Sequence, residues 1–409
     1  MSKKLNVYFH DQWIGTLEQN PHGEMIFAYS MSWLQNPAAI AISCSLPLRS
    51  RTFTQKECRP FFAGILPEDN QRKLIAKNLG ISANNDFRML EKIGGECAGA
   101  ITFVLEGKKL DSISSHYQEI DIQTLTDFLK KLAYQPLLAG EEGIRLSMAG
   151  VQDKIPVRIE SKKISIPLNN SPSTHILKPV NASFPGLLYN EAFCLSLARK
   201  IGLIAAKAEI HGTPETEYLL IERYDRVVKN GEIKRLHQED FCQALGVIPE
   251  RKYQNEGGPS FKDCFSLIRR VSTLPVFDLE QLISAVIFNV LIGNCDSHGK
   301  NFSLLYSENE IKLAPLYDLV CTMYYSNLTT KMAMKLGNEY DVNKINLAQF
   351  ETLAEQIGLT KAGICRQVSM MTEKISSIVH QMQISNHVEK DIAKIIMGRC
   401  KIFMKAKEA

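Results

Sequence analysis

The sequence predicts an α+β protein whose strands lie mainly in the first half and whose helices lie mainly in the second. The chain has 409 residues, which is more than one hydrophobic core usually serves, so we expect more than one domain. Short runs near the N-terminus alternate apolar and polar residues, as half-buried strands do. Beyond residue 240 helical patterns dominate, and residues 282–293 (LISAVIFNVLIG) are apolar nearly all round, which is typical of a buried helix.

The first part of the chain predicts a small β-rich N-terminal subdomain. Its predicted strands cover residues 5–9, 13–18, 25–29 and 100–105,. Residues 61–79 have a helical pattern, residues 106–115 are polar and turn-like, and residues 122–132 form a short helical segment. We assign residues 1–106 to the subdomain and residues 107–139 to a linker that contains a helix.

From residue 145 onward the pattern predicts a second group of strands and then a helical lobe. The predicted elements are strands at residues 145–147, 155–159, 174–180 and 218–221, a helix at 190–202, and a hairpin turning at Asn230 and Gly231,. We assign residues 140–236 to a strand-rich lobe and residues 237–409 to a helical lobe.

Composition and charge exclude several classes of protein. The formal net charge of +4 is too small to indicate strong nucleic-acid binding by the chain alone,. The ten cysteines form no CxxC pair, so we expect reduced thiols and no local zinc motif. We expect no signal peptide and no membrane span, since no apolar run approaches the length that a bilayer requires. These observations favour a cytoplasmic protein.

Residues 294–301, NCDSHGKN, place several polar groups directly after the predicted buried helix. Asp296 stands five residues before Asn301. A hairpin with a polar turn at residues 307–309 follows, and Asp318 comes next in PLYDLV. This order is typical of phosphoryl transfer, in which the first aspartate orients the attacking hydroxyl and the other two groups bind Mg²⁺. The usual His-Arg-Asp and Asp-Phe-Gly forms are absent.

Upstream residues supply candidate partners for a nucleotide. Lys178 ends the strand HILK, where a kinase places its phosphate-contacting lysine,. Glu191 opens the next predicted helix and could face Lys178. In SMAGVQDK, small Ala149 and Gly150 would let backbone N–H groups approach phosphate, and Lys154 would add charge,. The segment from residue 221 to Tyr224 follows an apolar strand, as the adenine-binding hinge of a kinase does.

Each of these residues also has a simpler structural explanation. Asp296 could cap a helix or close a turn, and Asn301 could be a turn residue. Lys178 could be a solvated strand end, and Glu191 could be a charge favoured by a helix N-terminus. His298 could be a surface histidine, and with Cys295 alone it does not make a zinc site. The order of these residues along the chain favours the functional reading.

Several motifs together resemble the HipA family of bacterial toxin serine/threonine kinases. Between about residues 140 and 325 they are, in order, SMAGVQDK, ILKP, NEAFCLSLARKIGL, IERYDR, LHQEDFCQALG, KYQNEGGP, GNCDSHGKNFSLL and APLYDL. VYFHDQWIGTLEQ, FFAGILPEDNQRKLIA and IGGECAGAI resemble the small domain that precedes the kinase core of that family. The C-terminal part carries no motif that we recognise beyond helical character.

The resemblance implies a fold, an activity and partners. The fold would be a small β-rich N-terminal subdomain followed by a divergent two-lobed protein-kinase-like core with a mainly helical C-terminal lobe. The activity would be Mg²⁺- and ATP-dependent phosphorylation of a protein serine, with glutamate–tRNA ligase as the target in well-known members. The partners would be a HipB-like helix-turn-helix antitoxin and, through it, operator DNA.

The resemblance also implies roles for individual residues. Asp296 matches the catalytic aspartate, Asn301 and Asp318 match the Mg²⁺ ligands, and Ser147 matches an inactivating autophosphorylation site. The matched nucleotide contacts are Ala149, Gly150, Val151, Gln152, Asp153, Lys154, Lys178, Glu222, Tyr224, His298, Lys300, Asn301, Tyr317 and Asp318. Departures from the form of the motifs that we expect are mild and remove no charge or ligand: Asp153 for Glu, Tyr224 for Phe, and Ser297 and Gly299 for Gly and Ala.

Two other functions remain open at this point. The first is a nucleotide-gated corepressor, whose main work would be to dock on an antitoxin–DNA complex. The second is a small-molecule kinase of the antibiotic- or sugar-phosphorylating kind, which also uses the Asp-x4-Asn spacing. The motifs SMAGVQDK and KYQNEGGP and the additional N-terminal subdomain weigh against the second.

Overall fold

The computed structural model describes residues 3–108, 110, 116–213, 216–307 and 309–405. Part of the turn-like segment predicted at residues 106–115 therefore lies outside the described residues, as does the middle of the turn predicted at 307–309. All ten cysteines are free thiols in this structure.

Strands and short helices alternate over the first 179 residues. In chain order they are β1 Lys3–Phe9, β2 Gln12–Gln19, β3 Met25–Tyr29, α1 Met31–Leu34, α2 Gln55–Gly64, α3 Asp69–Leu79, α4 Asp86–Ile93, β4 Ile101–Leu105, β5 Tyr117–Ile120, α5 Ile122–Leu132, β6 Ile155–Glu160, β7 Lys163–Pro167 and β8 His175–Pro179.

Longer helices dominate the remainder of the described chain. In chain order the elements are α6 Leu187–Lys200, β9 Ala208–His211, β10 Tyr218–Glu222, β11 Arg226–Lys229, β12 Glu232–Arg235, β13 His237–Asp240, α7 Phe241–Ala244, α8 Phe261–Val271, α9 Pro275–Ile292, β14 Ser303–Ser307, β15 Glu310–Leu313, β16 Lys331–Leu336, β17 Glu339–Asp341, α10 Leu347–Ile357, α11 Lys361–Gln381 and α12 His387–Lys405.

The chain divides into two compact units. The first unit contains the chain up to Pro179 together with His211–Pro249 and Leu305–Ser307. The second unit contains Val180–Ile210, Glu250–Leu304 and the chain after Ser307. The finer division into a subdomain, a linker and two lobes remains a prediction.

Two antiparallel sheets form the frame of the first unit. The N-terminal sheet has the order β3-β2-β1-β4, and the other sheet includes the order β5-β7-β6-β8-β10. Leu5 and Val7 are buried while Asn6 between them is half-buried, which is the alternation of a strand with one covered face. Leu5 of the first sheet and Leu177 of the second belong to one continuous buried apolar cluster.

Helix α9 is the central apolar element of the second unit. It is long and apolar enough to cross a membrane by length and composition, with a mean hydropathy of 1.6, but 61% of it is buried within the protein. That burial is the behaviour of a core helix, as the apolar residues 282–293 predict. The N-terminal Pro275 and the left-handed Gly293 bound the helix,.

The structure corrects several predicted elements. A single helix over residues 61–79 is wrong, because α2 ends at Gly64 and α3 begins at Asp69, with Pro67 between them disfavouring helical backbone,. The strand predicted at 145–147 is only an isolated bridge from Leu146 to Glu96. The β16–β17 hairpin was not predicted. Helix α6 begins at Leu187 rather than Asn190.

Candidate active site

The catalytic-loop candidate begins where α9 ends, in the second unit. Gly293 has a φ of +70°, and a Cβ atom there would lie 2.8 Å from the Sδ of Met323. Glycine is therefore required both by the backbone conformation and by the close packing. The turn sends the chain directly into residues 294–301.

Neutral hydrogen bonds hold the first half of this loop. The Asn294 Nδ2 donates to the Asn289 Oδ1 at 2.8 Å, and the Asp296 N–H donates to the Asn294 Oδ1 at 3.1 Å. The Cys295 N–H donates to the Thr322 hydroxyl at 2.8 Å. Since Asn289 lies on buried α9, the loop backbone is tied to a rigid core element.

Asp296 is exposed, although its neighbours Cys295 and Ser297 are buried. Its Oδ1 accepts a hydrogen bond of 2.8 Å from the Tyr253 hydroxyl. Among the described residues no cation lies within ion-pair distance of it. The carboxylate is therefore oriented without being neutralised, which is what a group that accepts a proton from a substrate requires.

Asn301 closes a short 3₁₀ turn, Gly299–Asn301, by a reciprocal cap with His298. The His298 N–H donates to the Asn301 Oδ1 at 3.1 Å, and the Asn301 N–H donates to the His298 carbonyl at 2.9 Å. His298 is only 7% exposed, so its reading as a surface histidine is wrong. The cap fixes which way the amide oxygen of Asn301 points.

Asp318 has a φ of +50°, a left-handed conformation that is uncommon for a residue with a side chain,. The segment around it is held firmly. The Tyr317 hydroxyl donates to the Lys300 carbonyl at 2.7 Å, and the buried Asn190 amide bonds both the N–H and the C=O of Cys321, at 2.8 and 3.0 Å. Backbone strain that is held in this way is common at functional sites.

A narrow crevice lies beside the end of this loop in the second unit. Asn301, Tyr317 and Asp318 line it together with Asn289 and Asn294. An amide oxygen and a carboxylate are the oxygen ligands that Mg²⁺ prefers. Among the described residues no three His, Cys, Asp or Glu side chains are grouped to hold a metal. Since Asn301 and Asp318 supply few of the six oxygen ligands of Mg²⁺, an ion held here would need phosphate and water for the others.

The phosphate-loop candidate lies in the first unit. Gly150 has a φ of +108°, and a Cβ atom there would lie 2.6 Å from the Nζ of Lys154. The Lys154 Nζ donates to the Ala149 carbonyl at 2.8 Å, and the Glu68 N–H donates to the Gly150 carbonyl. The loop therefore folds back on its own lysine, and the φ of residue 150 favours glycine there.

The other predicted nucleotide contacts of the first unit lie on its second sheet and its flanks. Lys178 on β8 is 3% exposed and pairs with Leu219 of β10. Glu222 at the end of β10 is exposed, whereas Tyr224 is half-buried and donates to Gln238. Val151, Gln152 and Asp153 are at least partly exposed.

Ser147 is fully buried in the first unit. Its hydroxyl donates to the Ile65 carbonyl at 3.1 Å, and its N–H donates to the Glu96 carbonyl at 2.8 Å. A phosphate group does not fit such an enclosed position. The segment that carries Ser147 would have to leave its place before the hydroxyl could be modified.

A buried ionic network holds the segment between Glu222 and Tyr224, and sequence reasoning missed it. The Arg223 guanidinium donates to the Glu96 carboxylate at 3.1 Å and to Asp225 at 2.7 Å, and the Arg226 guanidinium donates to Glu96 at 2.8 Å. Arg235 pairs with the second oxygen of Glu96 at 2.6 Å.

The arginines decide the charge of both carboxylates in this network. Burial by itself would raise the pKa of Glu96, but Arg226, Arg235 and Arg223 outweigh burial and lower it,. The pKa of Asp225 is likewise lowered by Arg223 and Arg226 against the effect of burial. Both groups therefore stay ionised although they are buried.

The structure divides the predicted residues between the two units. The second unit brings together Asp296, His298, Lys300, Asn301, Tyr317 and Asp318. The first unit contains Ser147, Ala149, Gly150, Val151, Gln152, Asp153, Lys154, Lys178, Glu222 and Tyr224. Glu191 does not open its helix but lies one turn inside α6 and is 1% exposed, so its reading as an N-terminal helix charge is wrong.

Sequence reasoning also missed Tyr253 and the asparagines Asn289 and Asn294 as parts of the loop. The motif KYQNEGGP pointed to Tyr253 without indicating a role. The position of Asn289 on an otherwise apolar helix was the available signal for a buried hydrogen-bonding residue.

Comparison with known proteins gives consistent matches over nearly the whole chain. Residues 5–104 match the HipA N-terminal domain family, and residues 146–385 match the HipA-like C-terminal domain family. The protein named "Putative kinase Y4mE" of Sinorhizobium fredii is 41% identical over 97% of this chain and 98% of its own length.

Two Shewanella oneidensis comparisons extend the match to structure. The serine/threonine-protein kinase toxin HipA of that organism is 28% identical over 92% of this chain and 89% of its own length. A chain of the solved complex of the toxin–antitoxin proteins HipA and HipB with operator DNA matches with a TM-score of 0.84 and 25% identity over 99% of both chains. The predicted α+β fold class is confirmed.

Proposed function

The chain belongs to the HipA family of toxin–antitoxin serine/threonine kinases, and from this premise we propose that it is itself a Mg²⁺·ATP-dependent serine/threonine protein kinase. It acts as the toxin of a type II toxin–antitoxin system in the cytoplasm. The observation that carries the proposal is the loop of the second unit, where an exposed, un-neutralised Asp296 precedes the crevice lined by Asn301 and Asp318.

The residues of the second unit have distinct roles in this proposal. Asp296 orients the attacking hydroxyl of the protein substrate and accepts its proton. Asn301 and Asp318 hold Mg²⁺, whose complex with ATP supplies the phosphoryl group when it is bound. His298, Lys300 and Tyr317 give further nucleotide contacts.

The residues of the first unit bind the nucleotide in this proposal. Lys178 contacts phosphate, and Glu222 and Tyr224 contact adenine. The phosphate loop consists of Ala149, Gly150, Val151, Gln152, Asp153 and Lys154. Its support is the left-handed Gly150, beside which the Lys154 ammonium lies 2.6 Å from the position of a Cβ atom.

Ser147 is the regulatory residue in this proposal. Since its hydroxyl is buried against the Ile65 carbonyl, autophosphorylation requires the segment to move out, and the added charge then prevents its return. A phosphate two residues before Ala149 also repels the phosphates of ATP. Autophosphorylation at Ser147 therefore inactivates the kinase.

The substrate and partners in this proposal are those of other family members. We propose a translation component such as glutamate–tRNA ligase as the target, on the resemblance alone. We propose a HipB-like helix-turn-helix antitoxin as partner, with operator DNA reached through it. Support for these partners is the match to a HipA, HipB and operator DNA complex.

The test is intact-mass analysis of the purified protein and of Asp296→Ala after incubation with Mg²⁺·ATP. We expect one added phosphate on the wild type, mapped to Ser147, and none on the variant. Removal of a general base lowers the transfer rate by about 10²- to 10⁴-fold while ATP binding is retained. Equal phosphorylation of both proteins would contradict the role of Asp296. A wild type that purifies unmodified and then gains no phosphate would contradict the kinase activity.

A second candidate function is a nucleotide-gated corepressor, which the same HipA, HipB and operator DNA match favours. The two functions can coexist in one chain. In this reading the Asp296→Ala protein still lowers the dissociation constant of the antitoxin for its operator. A variant that has lost both transfer and this effect would contradict a separate corepressor function.

A further inference from the structure

The motif KYQNEGGP, which the proposed function leaves without a role, contacts the catalytic loop within the second unit. The Tyr253 hydroxyl donates a hydrogen bond of 2.8 Å to the Oδ1 of Asp296. The rings of Tyr253 and His298 also meet edge to face, with centroids 5.5 Å apart and planes at 77°. One tyrosine therefore contacts both Asp296 and His298, the residue that caps the turn Gly299–Asn301.

The turn that carries Tyr253 depends on two glycines. Tyr253 precedes the 3₁₀ turn Gln254–Glu256, which ends at Gly257 with a φ of +92°. At Gly258 a Cβ atom would lie 2.4 Å from the Arg251 carbonyl oxygen and 2.7 Å from that of Tyr253. Both glycines are therefore required by the path of the backbone.

A second element fixes the same turn from outside. The Gln254 Oε1 accepts a hydrogen bond of 2.9 Å from the Lys335 N–H on β16. Since β16 also bonds the loop directly, through the Ala333 N–H and the Cys295 carbonyl at 2.8 Å, the turn and the loop share one support. The Tyr253 hydroxyl is thus held at a set distance from Asp296.

The hydrogen bond leaves Asp296 able to act on a substrate. A carboxylate has two oxygens that can each accept about two hydrogen bonds. Tyr253 uses Oδ1, and within the described chain no group donates to Oδ2. A neutral phenol restrains rotation of the carboxylate. Unlike a lysine or arginine, it does not pair the negative charge.

We propose that Tyr253 is a positioning residue that holds the carboxylate of Asp296 so that Oδ2 faces the hydroxyl to be phosphorylated. The proposal rests on the proposed function, in which Asp296 is the proton acceptor. Tyr253 acts through Asp296. The turn formed by the motif KYQNEGGP positions the Tyr253 hydroxyl.

The first test compares Tyr253→Phe with wild type, and uses Tyr340→Phe as a control on a half-buried tyrosine elsewhere in the second unit. Phosphoryl transfer from Mg²⁺·ATP is measured to the protein's own chain and to casein. We expect Tyr253→Phe to lower kcat about 10-fold with an unchanged KM for ATP, because orientation of the base acts in the transition state only. Tyr340→Phe should match wild type. An unchanged kcat, a loss confined to KM, or phosphate found on Tyr253 itself would overturn the proposal.

The second test works even if no acceptor is phosphorylated. A double-mutant cycle combines Tyr253→Phe with Asp296→Ala, which removes the acceptor of the hydrogen bond, and follows the midpoint of thermal unfolding. We expect the combined shift to be smaller than the sum of the single shifts, since both substitutions disrupt the same contact. If the wild type transfers no phosphate, the kinase proposal fails, whereas additive shifts would overturn the Tyr253 proposal separately.

Discussion

The two units hold their functional segments with opposite kinds of interaction. In the first unit, buried arginines and carboxylates hold the segment from Glu222 to Tyr224, with Glu96 bonded by Arg223, Arg226 and Arg235. In the second unit, amides and hydroxyls hold the loop that carries Asp296.

The difference is explained if the charge of Asp296 has to remain unpaired. A buried ionic network holds a backbone strongly, because loss of one partner leaves an uncompensated charge. The same network beside Asp296 would pair with the carboxylate that we propose as the proton acceptor. Neutral donors orient that carboxylate and leave its charge free, so rigidity and reactivity are compatible in the second unit.

The largest effect on stability is expected from Glu96→Gln. Removal of one carboxylate from among three buried arginines should lower the free energy of unfolding by about 3–5 kcal/mol. Both tryptophans, Trp13 and Trp33, lie in the first unit, so urea unfolding followed by tryptophan fluorescence reports on that unit.

The matched control for Glu96→Gln is Glu119→Gln. Glu119 forms an exposed ion pair with Lys163 on the surface of the first unit. An exposed pair contributes less than about 1 kcal/mol. Equal losses for the two variants would show that the Glu96 network is no stronger than a surface pair.

Acid should weaken the first unit through His237. Burial lowers the pKa of His237 to about 4, from 6.5 in the unfolded chain. Between these pH values the unfolded chain binds the proton and the folded chain does not, so stability falls as the pH decreases. This loss reaches about 3 kcal/mol at pH 4.

The pH prediction is checked with His237→Gln, and exposed His22→Gln serves as its control. The free energy of unfolding, followed by tryptophan fluorescence, should fall less steeply from pH 6.5 to pH 4 in His237→Gln than in wild type. His22→Gln should keep the wild-type slope. A slope unaffected by His237→Gln would remove this histidine from the acid response.

A smaller loss is expected in the second unit from Asn190→Ala. The substitution leaves the buried Cys321 N–H without its partner, while the Cys321 C=O still accepts from the Tyr324 N–H, and the loss should cost about 1–3 kcal/mol. Denaturation followed by circular dichroism at helical wavelengths measures it, with exposed Asn343→Ala as control. A loss as large as that from Glu96→Gln would contradict the contrast between charged and neutral supports.

The smallest stability effect is expected from Gly150→Ala. An alanine in a left-handed conformation costs about 1 kcal/mol, and Gly80→Ala, with a φ of +63° and open space around it, is the control for that backbone cost. Only Gly150→Ala crowds the Lys154 Nζ, so only this variant should weaken binding of a fluorescent ATP analogue. Equal nucleotide affinity in both variants would remove Gly150 from the phosphate loop.

The sequence predicted the helices and strands that depend on the pattern of adjacent residues. The strands β1 to β3 and the buried part of α9 match because alternation and an all-apolar run are properties of adjacent residues. The break between α2 and α3 could also have been predicted, because Pro67 disfavours a continuous helix. The order of Asp296, Asn301 and Asp318 was also readable, since it depends on spacing along one stretch of chain.

Partners that lie far apart in the chain could not be predicted in the same way. Tyr253 is 43 residues from Asp296, and Arg223 is 127 residues from Glu96. No periodicity connects such positions, because only tertiary packing brings them together. The motifs that contain them indicated that these residues were of interest, but not which atoms they would meet.

The backbone of Asp318 constrains how this chain can drift in evolution. A φ of +50° tolerates Gly, Asn and Asp far better than other residues. Asparagine and glycine codons are each reached from an aspartate codon by a single base change. A lineage released from selection for phosphoryl transfer could thus lose this carboxylate in one step and keep its fold. Descendants that retain only a binding role should carry Asn or Gly at this position.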